Sequence, residues 1–411
     1  MTSTSDQRRG TWSALAHPQY RLLWLGTIAA VVTGELRLVV TGVWLYQETG
    51  SAVQLGFLGL IQLVVQIPAL LFGGTLADRL DRRLLTAWTQ VVTLAAIAAM
   101  AVLAVTDVLV PWHVYAATAL LSVSTVFGNP ARAALMSATV PSEQMVDAVT
   151  TSFASQQIAT VVAPLGFAVI AKTLDLDAAF VITAIVAVPA VIFPLIMNVS
   201  NVRIEANTGG TLLSRTWEGL QFVKVHPLLP ALYLMDTGVT VVSFYRQMYP
   251  VFADHLFGGG AGTVGLLTAA NSAGAIAGSF AVLMLRKVKR TGYMVLIAHF
   301  VYALLLFPFA LIGWLPMGML LLAGLGGTDA VTVTVRQATV QLTTPDEMRG
   351  RALSVQTLSA QTANNLGTVW VGMLSALIGA SSTLLLGSTL SMLFTAVVWF
   401  KVKAVKEYRA P

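Results

Sequence analysis

Twelve apolar stretches, each long enough to cross a bilayer, follow one another along this chain. They fall at roughly 18–46, 54–77, 84–106, 111–138, 144–171 and 178–198, and then at 227–251, 262–286, 291–311, 315–342, 347–377 and 382–402. A spanning helix needs roughly 20 consecutive apolar residues. Hydrocarbon offers the backbone no partner, so only helices and closed barrels span it. The alternating ten-residue segments of a barrel are missing, which leaves helices. Charged residues make up 10% of the chain, against about 25% in a soluble domain, so a water-covered surface is excluded. The expected fold is an all-α membrane protein of twelve transmembrane helices.

One long hydrophilic interval divides the spans six and six. It gives an expected organisation of 1–198 as an N-terminal six-helix bundle, 199–226 as a linker, and 227–411 as a second bundle. Within the linker, Leu213, Trp217 and Leu220 form a stripe with Arg215, Glu218 and Lys224 off it. That pattern suits a helix lying along the cytoplasmic interface; a plain tether is the other reading. Shifting the chain by 204 residues against itself places Arg132 on Arg336, Pro141 on Pro345 and Glu143 on Glu347. The same shift places Gly74 on Gly278, Arg82 on Arg286 and Arg83 on Lys287. Two equivalent halves explain these coincidences, an architecture known among transporters.

Formal net charge is +6. Arg37, Arg132, Arg246 and Arg336 fall inside spans and Lys172 follows the fifth. Every other Lys and Arg lies in or against the N-terminus, the even-to-odd loops, the linker or the C-terminus. The positive-inside rule then puts both termini in the cytoplasm, in a multi-pass plasma-membrane protein. This placement accounts for the basic excess without nucleic acid. The first 20 residues lack a signal-peptide pattern, so the first span is expected to anchor the chain. With no cysteine, disulfides, thiolate metal sites and cysteine nucleophiles are excluded. No Walker loop, Gly-x-Ser-x-Gly elbow or clustered His ligand set occurs, so neither enzyme chemistry, nor a metal, nor a cofactor is expected.

Ionisable groups inside spans are the candidate machinery, since each costs at least ~2.5–3.5 kcal/mol at the bilayer centre. Glu35 and Arg37 are two residues apart and point to different helix faces, so they pair poorly with each other. Arg37 shares a face with Thr33, Gly34 and Thr41, a candidate cavity lining. Glu35 sits among Val31, Leu38 and Val39 and is a candidate proton carrier, the rival reading being a fixed ion pair between helices. Asp329 lies mid-span in the tenth span and Asp236 in the seventh; both are candidates for proton coupling or for holding a cationic substrate group. Arg246, near the outer end of the seventh span, is a cavity or snorkelling candidate. Arg132 and Arg336, near cytoplasmic ends, suit gating or snorkelling. His299 reads as hydrogen-bonded filler, and Gly274 with Gly278 as helix packing.

The loop after the second span, Gly74-Thr75-Leu76-Ala77-Asp78-Arg79-Leu80-Asp81-Arg82-Arg83, resembles the signature of the major facilitator superfamily, with Asp81 where the family usually has glycine. Gly128-Asn129-Pro130-Ala131-Arg132, Tyr249-Pro250-Val251-Phe252-Ala253-Asp254 and Pro345-Asp346-Glu347-Met348-Arg349-Gly350-Arg351 are similar to its enterobactin-exporter-like branch. Ala163-Pro164-Leu165-Gly166 resembles the exporters' Gly-Pro motif with alanine for its glycine. The resemblance implies two bundles rocking around a central cavity, proton-driven efflux of a siderophore or amphipathic compound, and a monomer. Its partners are then a small-molecule substrate, protons and the bilayer. It also implies that Gly74, Asp78, Arg79, Arg82 and Arg83 form a cytoplasmic gate. An importer of the same superfamily, and a membrane sensor, are the competing readings.

Overall fold

The computed structural model describes residues 12–77, 81–199, 212–285 and 290–408, without the side chains of 71–77, 212, 213 and 215. Helices make up the regular structure of these residues. Six long ones come first: α1 (Pro18–Thr49), α2 (Ala52–Ala77), α3 (Arg82–Val105), α4 (Pro111–Met136), α5 (Met145–Thr173) and α6 (Leu176–Ile196). The amphipathic α7 (Leu212–Val225) follows, and then α8 (Leu229–Ser243) and the short α9 (Tyr249–His255). The remainder are α10 (Ala261–Met284), α11 (Thr291–Phe309), α12 (Leu315–Thr343), α13 (Asp346–Ile378), α14 (Ala380–Lys401) and the short α15 (Lys403–Glu407). Among the described residues nine helices are long and apolar enough to cross a membrane by themselves, or ten if a bent pair counts as one. Helices α4 and α13 are not among the nine.

Local chemistry sets the boundaries. Asp81 accepts from the backbone N–H groups of Arg83 and Leu84 and starts α3. Its φ of −61° needs no glycine, so the departure from the superfamily signature supplies a helix cap instead. Asp175 caps α6 in the same way through Ala178. Gly379, at φ +84° and ψ 159°, takes a positive-φ conformation that glycine alone adopts freely, and it ends α13.

The expected seventh span, 227–251, is not one helix, which corrects the sequence reading. It breaks at Phe244–Met248, between α8 and α9. Pro250 explains the break: it lacks an N–H and its ring clashes with the carbonyl four residues earlier, that of Arg246. The carbonyl of Ser243, at the end of α8, accepts from the Tyr302 hydroxyl of α11 at 3.1 Å. Helix α7 belongs elsewhere, turned 103° from the helices that follow it. Trp217 and Leu220 on α7 are exposed, while Val223 is buried.

Helix neighbours repeat between the halves. Helix α1 packs on α5 and α6, α3 on α4 and α6, and α2 on α4. Correspondingly, α8 packs on α13 and α14, α11 on α12 and α14, and α10 on α12. The halves join through α2 against α13 and α5 against α10, which are equivalent pairs. Within each half the long helices follow one another through short connections, so connections alternate between an end carrying the termini and a far end. Tight approaches across the halves lie toward the far end. A Cβ on Gly59 would sit 2.7 Å from the Asn365 carbonyl oxygen, and one on Gly265 2.5 Å from that of Pro164. Tyr46 of α1 reaches His255 at 3.2 Å and Asp254 at 3.4 Å there.

Within the second half, Gly274 and Gly278 of α10 meet α12 backbone to backbone, as their spacing predicts. A Cβ on Gly274 would lie 1.8 Å from the Ala323 carbonyl oxygen. Backbone cannot yield as a side chain can. Gly274→Leu should therefore cost at least the ~1–3 kcal/mol typical of overpacking. The check is folded yield and thermal unfolding in detergent; a variant as stable as the parent would contradict this packing.

Candidate functional site

The charges within the second-half spans are paired. Asp236 of α8 and Arg336 of α12 form an ion pair whose side chains are only 12% and 5% exposed. His299 of α11 joins them, its Nε2 lying 4.0 Å from the Asp236 carboxylate. His299 Nδ1 is 2.9 Å from the Val295 carbonyl oxygen, which can only accept, so Nδ1 carries the hydrogen. In the neutral ring the Nε2 lone pair therefore faces Asp236.

The second pair joins the break in span seven to α12. Arg246 donates to Asp329 at 2.9 Å. The α-helix lapses at Phe244–Tyr245 and tightens to a 3-10 turn at Arg246–Met248, from which Arg246 lines the cavities, one of the two places the sequence offered for it. Tyr245, stacked on Tyr302 at 6.2 Å between ring centroids, is held by Asn271, whose Nδ2 donates to its hydroxyl oxygen at 2.8 Å. Both ion pairs line one cavity of about 210 Å³, with His299, Tyr302, Thr240 and Asn364.

Glu35 of α1 makes no ion pair with Arg37 among the described residues. The cations acting on it are Arg246 and Arg37. With Arg246 it lines a cavity of about 230 Å³ between the halves, alongside Gln157, Tyr249, Thr268 and Asn271. On its other side Glu35 borders a cavity of about 350 Å³ within the first half, shared with Arg37, Gly34 and Arg132. Glu35 and Arg246 thus each border two cavities, and the three spaces form a chain through the middle of the molecule.

The remaining candidates fall elsewhere. Thr33 and Thr41 are buried, with hydroxyl oxygens that find no partner among the described residues, and line none of these three cavities. The predicted stripe on α1 narrows to Gly34 and Arg37, because helix packing covers its flanks. Gly74 lies in the last turn of α2, while Asp78 and Arg79 lie outside the described residues. Arg82 is buried at the start of α3, and Arg83 donates to the Met197 carbonyl at 2.5 Å, tying that start to the end of α6. His299 is hydrogen-bonded to its own helix, as the sequence suggested, but its place beside Asp236 was not legible, since one His in an apolar helix does not reveal an Asp on another.

A family model described as a transmembrane secretion effector matches residues 9–410. The chain belongs to that family, within the major facilitator superfamily. The enterobactin exporter EntS of Escherichia coli is 25% identical over 374 residues, 88% of this chain and 86% of that protein. Macrolide efflux protein A of Streptococcus pyogenes is also 25% identical, over 247 residues; the match spans 59% of this chain and 60% of that protein's length. Among solved structures, the nucleoside transporter NupG superposes with a TM-score of 0.72 at 14% identity, covering 95% of this chain and 100% of that one. A peptide transporter POT in complex with sulfate gives 0.74 at 9% identity, covering 96% of each chain. The shared fold is that of major facilitator transporters, and this family member is a multi-pass membrane transporter.

Proposed function

We propose that the protein is a proton-coupled exporter of an amphipathic small molecule, working by alternating access in the plasma membrane with both termini cytoplasmic. In this reading, the bundles 1–198 and 227–411 rock about the central cavities, with 199–226 as the linker between them. The observation that carries it is the meeting of Glu35 from the first half with Arg246, the partner of Asp329, in one cavity between the halves. A proton arriving at Glu35 or Asp329 changes the charge balance across the surface along which the halves move. Such a change drives a transition only if the two states bind the proton unequally, and a cavity wall shared between moving halves meets that condition. The names of the two relatives favour export, and siderophores or drug-like compounds are the substrate classes they suggest. The tight far-end seam, with cavities reaching from mid-depth toward the termini, fits a state open to the cytoplasm.

The test is uptake of radiolabelled siderophores and macrolides into inverted vesicles with an imposed pH gradient. Accumulation should collapse with a protonophore and vanish in Glu35→Gln and Asp329→Asn. Uptake indifferent to the gradient would sink the coupling, and uptake only into right-side-out vesicles would make the protein an importer.

A further inference from the structure

Arg132 and Arg336 correspond under the 204-residue shift that relates the halves. Arg336 is neutralised by Asp236. The first-half position equivalent to Asp236 is Val32, which carries no charge. Arg132 accordingly has no ion pair or hydrogen bond among the described residues, and neither has Arg37. Both guanidiniums line the cavity of about 350 Å³ bounded by α1, α3 and α4. Glu35 is the one carboxylate among its lining residues, so the space holds two fixed positive charges against one negative. Gln90 and Ser124 also line it, only 9% and 7% exposed, and make no hydrogen bond among the described residues. The hydroxyls of Thr93 and Thr125 on the same wall are already committed to carbonyls of their own helices. Cations removed from bulk water need a counter-charge, and this half of the molecule does not supply one for each.

We infer that this cavity is the receptor for an acidic group on the substrate, held by Arg37 and Arg132 with Gln90 and Ser124 as neutral hydrogen-bonding partners. The guanidinium fork matches a carboxylate or a similar planar anion. A space of this size takes a ring-bearing acid, whose apolar remainder meets Val31, Leu38 and Leu121 on the same lining. The substrate class is then an amphipathic acid. This rests on the reading of the protein as an exporter, and it deepens that reading.

The experiment measures equilibrium binding to the purified full-length protein in detergent, with no gradient present. Three probes share one aromatic body: dansylglycine is an anion, dansylamide is neutral and dansylcadaverine is a cation. Dansylglycine should bind at least about tenfold tighter than the others, and Arg37→Gln or Arg132→Gln should each remove about that factor, as loss of a charged hydrogen bond does. Glu35→Gln should tighten dansylglycine, because it deletes the only negative charge on the wall. Arg132→Lys keeps the charge and should retain most of the binding, which covers the case in which the glutamine variant does not fold. Equal affinity for the three probes, preference for the cation, no binding of dansylglycine, or weakening in Glu35→Gln would each overturn the proposal. Gradient-driven transport of a cationic compound alongside any of those results would leave proton-coupled export standing and remove only the acidic-substrate assignment.

Discussion

Arg336→Ala should be the most damaging single substitution in this protein. It leaves the Asp236 carboxylate, 12% exposed, without its guanidinium partner. Removing one member of a buried ion pair typically costs about 3–5 kcal/mol, because the remaining charge is stranded. His299 stands beside Asp236 and offers only partial relief, since it must first take up a proton. The double change Asp236→Asn with Arg336→Gln removes both charges and should recover most of that loss. Thermal unfolding of the detergent-purified variants measures the difference. Transport should stay impaired in both, because Asp236 and Arg336 also line the cavity whose charge they set. If the double variant is as unstable as the single one, the pair is not what holds α8 to α12.

The second large effect is expected at the far-end seam. Gly265→Leu would force a side chain against the Pro164 carbonyl and Ala168, where even a Cβ lies 2.5 Å and 2.9 Å from them. Unlike the α10–α12 contact, this seam joins the two halves, so strain is relieved by parting them rather than by unfolding. Overpacking of about 1–3 kcal/mol corresponds to roughly a five- to 150-fold change in the ratio of two states. The chain has no cysteine, so a single cysteine at Val43, 2% exposed and lining the far-end cavity beside Tyr46 and Asp254, reports opening without background. Its labelling by a membrane-impermeant maleimide should rise by about that factor in the Gly265→Leu variant, and transport should be lost. Unchanged labelling would mean that the seam is no gate.

Sequence by itself determined the solvent and the element type, because lipid demands long apolar helices and the chain supplies them. It also picked out the charges that lie inside the spans, since a charge in hydrocarbon stands out against its neighbours. Packing glycines were legible too, as Gly274 and Gly278 show, because the spacing places both on one helix face. Pairing was not legible. Asp236 meets Arg336, and Arg246 meets Asp329, across sequence gaps that hydropathy cannot bridge. Nor was the break at Phe244–Met248 visible, because apolarity continues through it and only Pro250, near the far end of the stretch, marks it. Tertiary structure therefore decided which charges are neutralised and which face open space. That difference leaves Arg132 facing a cavity while its second-half counterpart Arg336 is paired, and it depends on which helices lie side by side.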